Sequence, residues 1–269
     1  MNTRPIPRSG EELPVIGLGT WQTFDVAASA SSRLAAVLDR FAATGGRVID
    51  SSPMYGRAEE RVGDVRDHAP DAFLATKVWT SGRQHGIEQM TRSMKLLRAD
   101  VIDLMQIHNL VDWRTHLRTL REWKEAGRFR YIGLTHYQAG AFPQLEAIIT
   151  SEELDFVQLP LSVELSDAET SLLPLCQSRR LAVIVNRPFE GGTLFRHVRN
   201  KPLPGWAEEF DSRSWAELFL RWIVSHPAVT CAIPATSSVE HLAQNMRAGE
   251  GRMLTMPERA RLRKLLVSS

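Results

Sequence analysis

The stretch Arg47-Val48-Ile49-Asp50-Ser51-Ser52-Pro53-Met54-Tyr55-Gly56-Arg57-Ala58-Glu59-Glu60-Arg61-Val62-Gly63 decides how the rest of the chain is interpreted. Its apolar start, Val48-Ile49, is typical of the end of a buried strand, and the Ser-Ser-Pro that follows Asp50 cannot continue a strand ladder. Asp50 is therefore predicted at the carboxyl end of a strand, with Tyr55 in the next loop and a helix resuming at Ala58. Parallel α/β proteins keep their chemistry at such strand ends.

Strand patterns alternate with helical patterns along the chain. Strands are predicted at 16–21, 46–50, 72–78, 101–107, 130–134, 155–159, 181–186 and 229–233. Helices are predicted at 29–43, 57–67, 86–98, 113–126, 138–149, 168–179, 213–225 and 237–247. Because eight strand–helix units close a barrel in chains of about 250 residues, we predict an α/β fold of the (β/α)8 (TIM) barrel type.

The segments outside this alternation are predicted to flank one barrel domain spanning residues 1–269. Ile6–Ile16 has the pattern of a short N-terminal β-hairpin, and 257–267 that of a C-terminal helix. The irregular stretch 187–212 is interpreted as one long loop between strand and helix. The alternative fold is an open doubly wound sheet, but Gly17-Leu18-Gly19 lacks the third glycine of a dinucleotide-binding fingerprint.

Composition makes several partners and locations improbable. The chain carries 33 basic and 31 acidic residues, and no basic run is interleaved with aromatic residues, which argues against nucleic acid or an anionic membrane as a partner. Cys176 and Cys231 lack disulfide or zinc-ligand spacing and are expected to be free thiols. No metal site is predicted. Free thiols, together with the lack of an apolar leader or an 18-residue apolar run, favour a cytoplasmic protein.

Four ionisable residues lie at or just after three consecutive predicted strand ends. Asp50 ends the second strand and Tyr55 lies in the loop after it, Lys77 lies near the end of the third strand, and His108 ends the fourth. Each alone has an ordinary structural explanation as a rim charge, a cap or a packed ring. A lysine placed among a carboxylate and a phenol indicates groups that share charge and protons, so we predict a catalytic cluster.

These residues resemble the aldo-keto reductase family. The strand-end pattern Asp50, Tyr55, Lys77 and His108, together with Gly17-Leu18-Gly19-Thr20-Trp21 and the stretch 50–63, is similar to that family over nearly the whole chain. The resemblance implies a (β/α)8 barrel that transfers hydride from a nicotinamide dinucleotide, NADP(H) or alternatively NAD(H), to a small-molecule aldehyde or ketone. In that chemistry we expect Tyr55 to be the general acid and Asp50 to hold Lys77, whose ammonium should lower the pKa of Tyr55. His108 is expected to orient the carbonyl oxygen.

The resemblance also implies cofactor contacts, with departures from the family pattern. Thr135-His136 replaces a common Ser-Asn pair, and Asn186 replaces a frequent stacking Tyr. The Phe189–Gly192 loop is expected to wrap the pyrophosphate, and Thr236–Ser238 both to cap a helix and to bind the adenosine phosphate. The full expected set is Thr135, His136, Gln158, Asn186, Arg187, Pro188, Phe189, Gly191, Gly192, Thr236, Ser237, Ser238, His241, Gln244 and Asn245.

Cofactor choice and substrate pocket are predicted from fewer residues. Ala235 and His241 stand where many family members hold the 2′-phosphate with Lys and Arg, and their presence weakens that contact. Thr236–Ser238 at a helix N-terminus still form an anion site, and no acidic residue occupies 235–239, so NADPH is expected to be preferred by a modest margin. Trp21, Trp79 and Asn109 are expected to line an open apolar pocket.

Other functions remain open from the sequence. The main alternative is a dinucleotide-binding regulatory or partner subunit with weak or no turnover, and a weaker one is a barrel hydrolase or aldolase. A monomer or weak homo-oligomer is expected.

Overall fold

The computed structural model describes residues 1–267 and contains a β-barrel surrounded by helices. The strands are β1 (Thr3–Pro5), β2 (Glu12–Pro14), β3 (Leu18–Gly19), β4 (Val48–Asp50), β5 (Phe73–Val78), β6 (Ile102–His108), β7 (Phe129–Thr135), β8 (Phe156–Pro160), β9 (Ala182–Asn186) and β10 (Cys231–Ala232). The helices are α1 (Ser31–Ala43), α2 (Ala58–Val65), α3 (Arg83–Leu96), α4 (Trp113–Glu125), α5 (Phe142–Ser151), α6 (Leu172–Ser178), α7 (Thr193–His197), α8 (Trp215–Val224), α9 (Val239–Arg247) and α10 (Met256–Val267).

The strands from β3 to β10 form a parallel barrel in chain order. Within residues 1–267 they make an eight-stranded sheet in which each strand pairs with its neighbour in sequence. Parallel bridges between Ile16 and Ala232 and between Gly19 and Ala235 join the first strand to the last. The predicted (β/α)8 barrel is confirmed, and the open doubly wound alternative is wrong because the two sheet edges meet.

Glycine is required where the barrel closes. A Cβ added at Gly17 would lie 2.8 Å from the carbonyl oxygen of Val48, and one at Gly19 would lie 2.7 Å from that of Ile233. Real Cβ atoms do not approach a backbone oxygen so closely, so β3 can pass between β4 and the chain after β10 only without side chains at these positions.

The barrel interior is apolar at one end and polar at the other. Strand residues point inward at every second position, and the apolar inward set is Val48, Phe73, Ala75, Leu104, Tyr131, Phe156, Ala182, Ile184 and Cys231. Ile6 and Leu13 of the N-terminal hairpin pack into this set. The Tyr131 hydroxyl donates a hydrogen bond to a Glu11 carboxylate oxygen at 2.8 Å, which links the hairpin region to the apolar end of the barrel. The polar inward residues lie toward the carboxyl ends of the strands.

Several predicted element bounds need correction. Helices α5 and α6 begin at Phe142 and Leu172 rather than at 138 and 168, because 3-10 turns precede them. The hairpin pairs Thr3–Pro5 with Glu12–Pro14, so it begins before Ile6, which instead packs inside the barrel. The stretch 187–212 is not one irregular loop: it contains α7 and short 3-10 helices at Glu190–Gly192 and Gly205–Phe210. Helix α3 begins at Arg83, three residues before the predicted start at 86, because Gly82 at φ 86° provides the turn into it.

Candidate active site

A buried ion pair between Asp50 and Lys77 lies at the centre of the site. Asp50 ends β4 and Lys77 is the fifth residue of β5, and their side chains are 2% and 0% exposed. Lys77 Nζ lies 2.6 Å from Asp50 Oδ2 and 2.6 Å from the carbonyl oxygen of Ser51. Removing two charges from water is costly unless their hydrogen bonds are satisfied, and this pair meets that condition.

Two glutamine side chains bind the other oxygen of the carboxylate. Gln106 Nε2 donates to Asp50 Oδ1 at 3.2 Å, and Gln158 Nε2 donates to the same oxygen at 2.8 Å. Gln106 points inward two residues before His108 in β6. With both oxygens accepting hydrogen bonds, Asp50 is fixed in position and keeps the Lys77 ammonium aimed toward the barrel mouth.

Tyr55 lies above Lys77 in the loop between β4 and α2. Lys77 Nζ is 5.1 Å from the centroid of the Tyr55 ring. Burial raises the pKa of Tyr55, Lys77 lowers it, and the net shift is upward. The predicted downward shift is therefore wrong in net direction, because burial of the phenol outweighs the neighbouring ammonium. Tyr55 remains a protonated phenol at neutral pH.

Burial and charge partners act in opposite directions on Lys77. Burial lowers the pKa of its ammonium, but Asp50 and Tyr55 together offset this, and the net pKa is raised. Lys77 is therefore a cation throughout the neutral range. A Schiff-base mechanism needs a neutral amine, so this charge state argues against the aldolase alternative.

His108 completes the cluster as a neutral ring. Its ring centroid lies 5.9 Å from that of Tyr55 in an edge-on arrangement and 6.4 Å from that of Trp79. Burial, with further contributions from Lys77 and His136, lowers the pKa of His108 to about 2. The structure thus brings together all four residues predicted from the strand ends.

Some polar residues around this cluster were not predicted. Gln106 and Ser52 touch Asp50 and His108 respectively. Glu59 on α2 is buried and accepts hydrogen bonds from Thr76 at 2.5 Å and Ser93 at 3.1 Å, and its burial raises its pKa. Gln106 could have been found from its spacing, since it shares the inward face of the strand with His108. Nothing in the sequence indicates the partners of Ser52 or Glu59.

Thr135, Gln158 and Asn186 lie together at the ends of β7, β8 and β9. Thr135 Oγ1 donates to Gln158 Oε1 at 3.0 Å, and Asn186 Nδ2 reaches the same oxygen at 3.3 Å. Asn186 Oδ1 is buried without a hydrogen-bond partner among residues 1–267. These three expected cofactor residues form one polar row that continues the Asp50 network across the barrel.

His136 follows this row at the edge of the mouth. Its Nδ1 accepts a hydrogen bond from the backbone N–H of Gln138 at 3.1 Å, so the ring proton is on Nε2. Burial lowers the pKa of His136. The ring stacks on Tyr137 with centroids 5.6 Å apart, and the Arg187 guanidinium lies 5.7 Å from the Tyr137 ring centroid. Where the family pattern has an Asn side-chain amide, this chain therefore offers the Nε2–H of His136, which lies at a different distance from the backbone.

The loop after β9, in which pyrophosphate contacts are expected, contains a 3-10 turn at Glu190–Gly192. Glu190, Gly191 and Gly192 have φ values of 50°, 68° and 94°, and nothing lies within 4 Å of a Cβ added at either glycine. Pro188 is buried, and the Phe189 ring packs on Phe195 with centroids 4.9 Å apart. The backbone N–H groups of Glu190 and Gly192 donate to the carbonyl oxygens of Arg187 and Phe189, which closes the turn.

The segment before α9 meets the prediction of a helix cap. Ser238 Oγ accepts a hydrogen bond from the backbone N–H of His241 at 3.3 Å, and Thr236 Oγ1 accepts one from that of Ser238 at 3.1 Å. Ser237 is half-buried and His241 is exposed. In the same helix Gln244 is half-buried and Asn245 is buried. Because Ala235 bridges to Gly19, this segment lies beside the end of β3.

The predicted pocket residues surround the cluster unevenly. Trp21 and Trp79 are each 42% exposed. Gln89 binds both backbone groups of Trp79, accepting from its N–H at 2.5 Å and donating to its carbonyl at 3.1 Å. Asn109 adopts φ 53° directly after His108, and its Oδ1 is buried with no partner among the described residues. Trp79 thus lies beside His108, with centroids 6.4 Å apart, and Asn109 adds an unpaired acceptor among the described residues.

Two negative findings apply to residues 1–267. No group of three or more His, Cys, Asp and Glu side chains could hold a metal ion. No helix is both long and apolar enough to cross a membrane. Among the described residues there is therefore no set of ligands for the metal hydrolase that the sequence left as an alternative.

The arrangement is matched by a known protein family. The family model described as "Aldo/keto reductase family" matches residues 15–266. The chain belongs to the aldo/keto reductase family. It is thus an oxidoreductase, and the resemblance drawn from the strand ends is confirmed.

Named relatives extend over most of the chain. The methylglyoxal reductase YeaE of Escherichia coli is 26% identical over 254 residues, covering 91% of this chain and 89% of the relative. An NADP-dependent D-sorbitol-6-phosphate dehydrogenase of Malus domestica is 24% identical, covering 90% and 87%. The crystal structure of an aldo/keto reductase from Klebsiella pneumoniae in complex with NADP and acetate superposes with a TM-score of 0.83 at 25% identity, covering 99% and 96%.

Proposed function

We propose that this protein reduces the carbonyl group of an aldehyde or ketone with NADPH, using Tyr55 as the proton donor. The buried Asp50–Lys77 pair beneath a protonated Tyr55, with neutral His108 alongside, carries this proposal. Membership of the aldo/keto reductase family supports the reaction class. The NADP named for the Klebsiella pneumoniae structure and for the Malus domestica relative supports the cofactor.

The residues at the barrel mouth fit a nicotinamide dinucleotide. The carboxamide of nicotinamide has an amide N–H2, and Asn186 Oδ1 is a buried acceptor without a protein partner among residues 1–267. His136 presents a donor at Nε2 toward the same edge. The capped start of α9 offers backbone amides for the adenosine phosphate, and Gly191 and Gly192 leave open space for close approach of the pyrophosphate. These residues would hold the cofactor, which supplies the hydride when bound.

The proton comes from Tyr55. A carbonyl carbon that accepts hydride leaves negative charge on its oxygen, and that oxygen must be protonated to give the alcohol. Burial keeps Tyr55 protonated until the proton is needed, and the Lys77 ammonium stabilises the phenolate formed by transfer. The attraction that stabilises the phenolate also lowers the pKa of Tyr55, so Lys77 offsets part of the increase that burial causes.

His108 positions the carbonyl. A ring whose pKa is about 2 is neutral at all working pH values, so it can donate a hydrogen bond without competing as an acid with Tyr55. A neutral donor beside the phenol orients the oxygen and shares its developing charge. Trp79, packed near His108, shields that side of the reacting group from water.

Absorbance of the reduced nicotinamide gives the direct test. Purified protein should consume NADPH with aryl aldehydes, and Tyr55→Phe should lower turnover by about 10²- to 10⁴-fold while the Kd for NADPH changes by less than about threefold. Tyr137→Phe removes a hydroxyl from an exposed tyrosine of the same rim and serves as the matched control. Turnover by Tyr55→Phe within about threefold of wild type would show that another group donates the proton.

A further inference from the structure

The hydroxyl of Ser52 contacts the Nδ1 side of the His108 ring. Ser52 lies in the loop after β4, is 0% exposed, and sits beside His108, which is 5% exposed. Ser52 Oγ and His108 Nδ1 are 2.9 Å apart. The backbone N–H of Met54 donates to the same Oγ at 3.3 Å. Ser52 therefore connects the loop that carries Tyr55 to the imidazole that faces the substrate.

Proton counting decides the direction of the Ser52–His108 hydrogen bond. A serine hydroxyl has one proton to donate, and this oxygen already accepts from Met54. If Nδ1 carried the ring proton and donated to Ser52, the serine proton would have no acceptor among residues 1–267, at a position sealed from water. Buried hydroxyl groups are rarely left unpaired because their desolvation is costly. The hydroxyl must therefore donate to Nδ1.

We propose that Ser52 is a positioning residue that fixes neutral His108 as the tautomer with its proton on Nε2. Ser52 acts through His108 and does not touch the substrate. The tautomer decides whether the ring offers a donor or a bare lone pair to the carbonyl oxygen, and only a donor stabilises developing negative charge. The catalytic consequence rests on the proposed carbonyl reduction, whereas the tautomer assignment does not.

The environment of Nε2 agrees with this assignment. No residue in the range 1–267 forms a hydrogen bond with Nε2, yet this atom is not among the buried polar atoms that lack a partner. It is thus the ring nitrogen open to the mouth. Tyr55 and Trp79 hold the ring from two sides, with centroids at 5.9 Å and 6.4 Å. A proton on Nε2 consequently points to where a carbonyl oxygen would bind.

Nitrogen-15 NMR of the free protein tests the tautomer directly, because protonated and unprotonated ring nitrogens have well-separated shifts. The wild type should show His108 as the Nε2–H form, assigned by comparison with His108→Gln. Ser52→Ala should contain a measurable Nδ1–H population and show a kcat about 5- to 30-fold lower with KM changed by less than about threefold. Ser52→Thr, which retains the hydroxyl, should restore both the tautomer and most of kcat.

Ser225→Ala is the matched control. Ser225 is also buried, and its Oγ donates to the carbonyl of Arg221 at 2.6 Å and accepts from the N–H of Leu254 at 2.8 Å, away from the active site. It should lose stability as Ser52→Ala does but keep the His108 tautomer and kcat. An Nδ1–H form in the wild type, or a Ser52→Ala protein with unchanged tautomer and kcat, would overturn the proposal. If the wild type reduces no carbonyl compound, the NMR result still decides the tautomer while the proposed function fails.

Discussion

Replacing Asp50 with asparagine should separate the structural role of the buried ion pair from its catalytic role. The change removes the charge that lies 2.6 Å from Lys77 Nζ and leaves an ammonium that is 0% exposed with uncharged partners. Breaking a buried pair by removing one charge costs about 3–5 kcal/mol. In a protein of this size that corresponds to a Tm lower by about 6–20 °C at pH 7. Lys77→Met should cost a similar amount.

The stability loss in Asp50→Asn should depend on pH in a defined direction. In the wild type the raised pKa of Lys77 means that the pair stabilises the fold below the ordinary lysine pKa of about 10.4 and loses this effect as pH rises beyond it. In Asp50→Asn burial acts on Lys77 without the carboxylate, so the pKa of the amine falls below that value. The variant therefore regains stability as pH rises, and its Tm should approach that of the wild type between about pH 7 and pH 10.

Calorimetry on the two single variants and the double variant Asp50→Asn/Lys77→Met gives the assay. The double variant has no buried charge at these positions, so its Tm should recover most of the loss of either single variant. The two variants without Lys77 should be nearly inactive, because Tyr55 has lost the ammonium that stabilises its phenolate. Asp50→Asn should lose activity because Lys77 is no longer held in place by a carboxylate. A double variant whose Tm loss equals the sum of the single losses would refute the buried ion pair as the source of the effect.

Three further predictions concern solution behaviour. The rate of carbonyl reduction should be flat from about pH 6 to pH 9, because His108, with a pKa of about 2, stays neutral and the raised pKa of Tyr55 keeps it protonated. Alcohol oxidation needs the phenolate, so its rate should rise with pH across that range. A change in the reduction rate with a midpoint near pH 6.5 would contradict a neutral His108. Calorimetric titration should show that NADPH binds about 10- to 100-fold more tightly than NADH, and His241→Arg should increase this ratio. Tighter binding of NADH would show that Ser238 only caps α9. Bulky aryl aldehydes should have higher kcat/KM than small polar carbonyl compounds, and Trp79→Ala should reduce this preference; selectivity for one small polar substrate would contradict an open apolar mouth.

The sequence by itself determined the barrel and the position of the four ionisable groups. The fold follows from alternating strand and helix patterns, which are local in sequence. The Ser51-Ser52-Pro53 segment after Asp50 marks a strand end, Lys77 and His108 lie near the ends of the next two strands, and parallel strands place their ends on one rim. Gly17 and Gly19 mark a glycine-rich first strand in the sequence, and only the structure shows that they lie against the carbonyl oxygens of Val48 and Ile233.

The tertiary structure alone decided the electrostatics of the site and the contacts that connect distant segments. Ser52 and His108, or Gln158 and Asp50, are 56 and 108 residues apart, and no local pattern encodes such pairings. The sequence predicted a lowered pKa for Tyr55 because it shows the neighbouring lysine but not the depth of burial, which proved the larger effect. Burial is a property of the whole packed chain. Charge type can therefore be read from residues, whereas the balance between desolvation and charge pairing depends on three-dimensional packing.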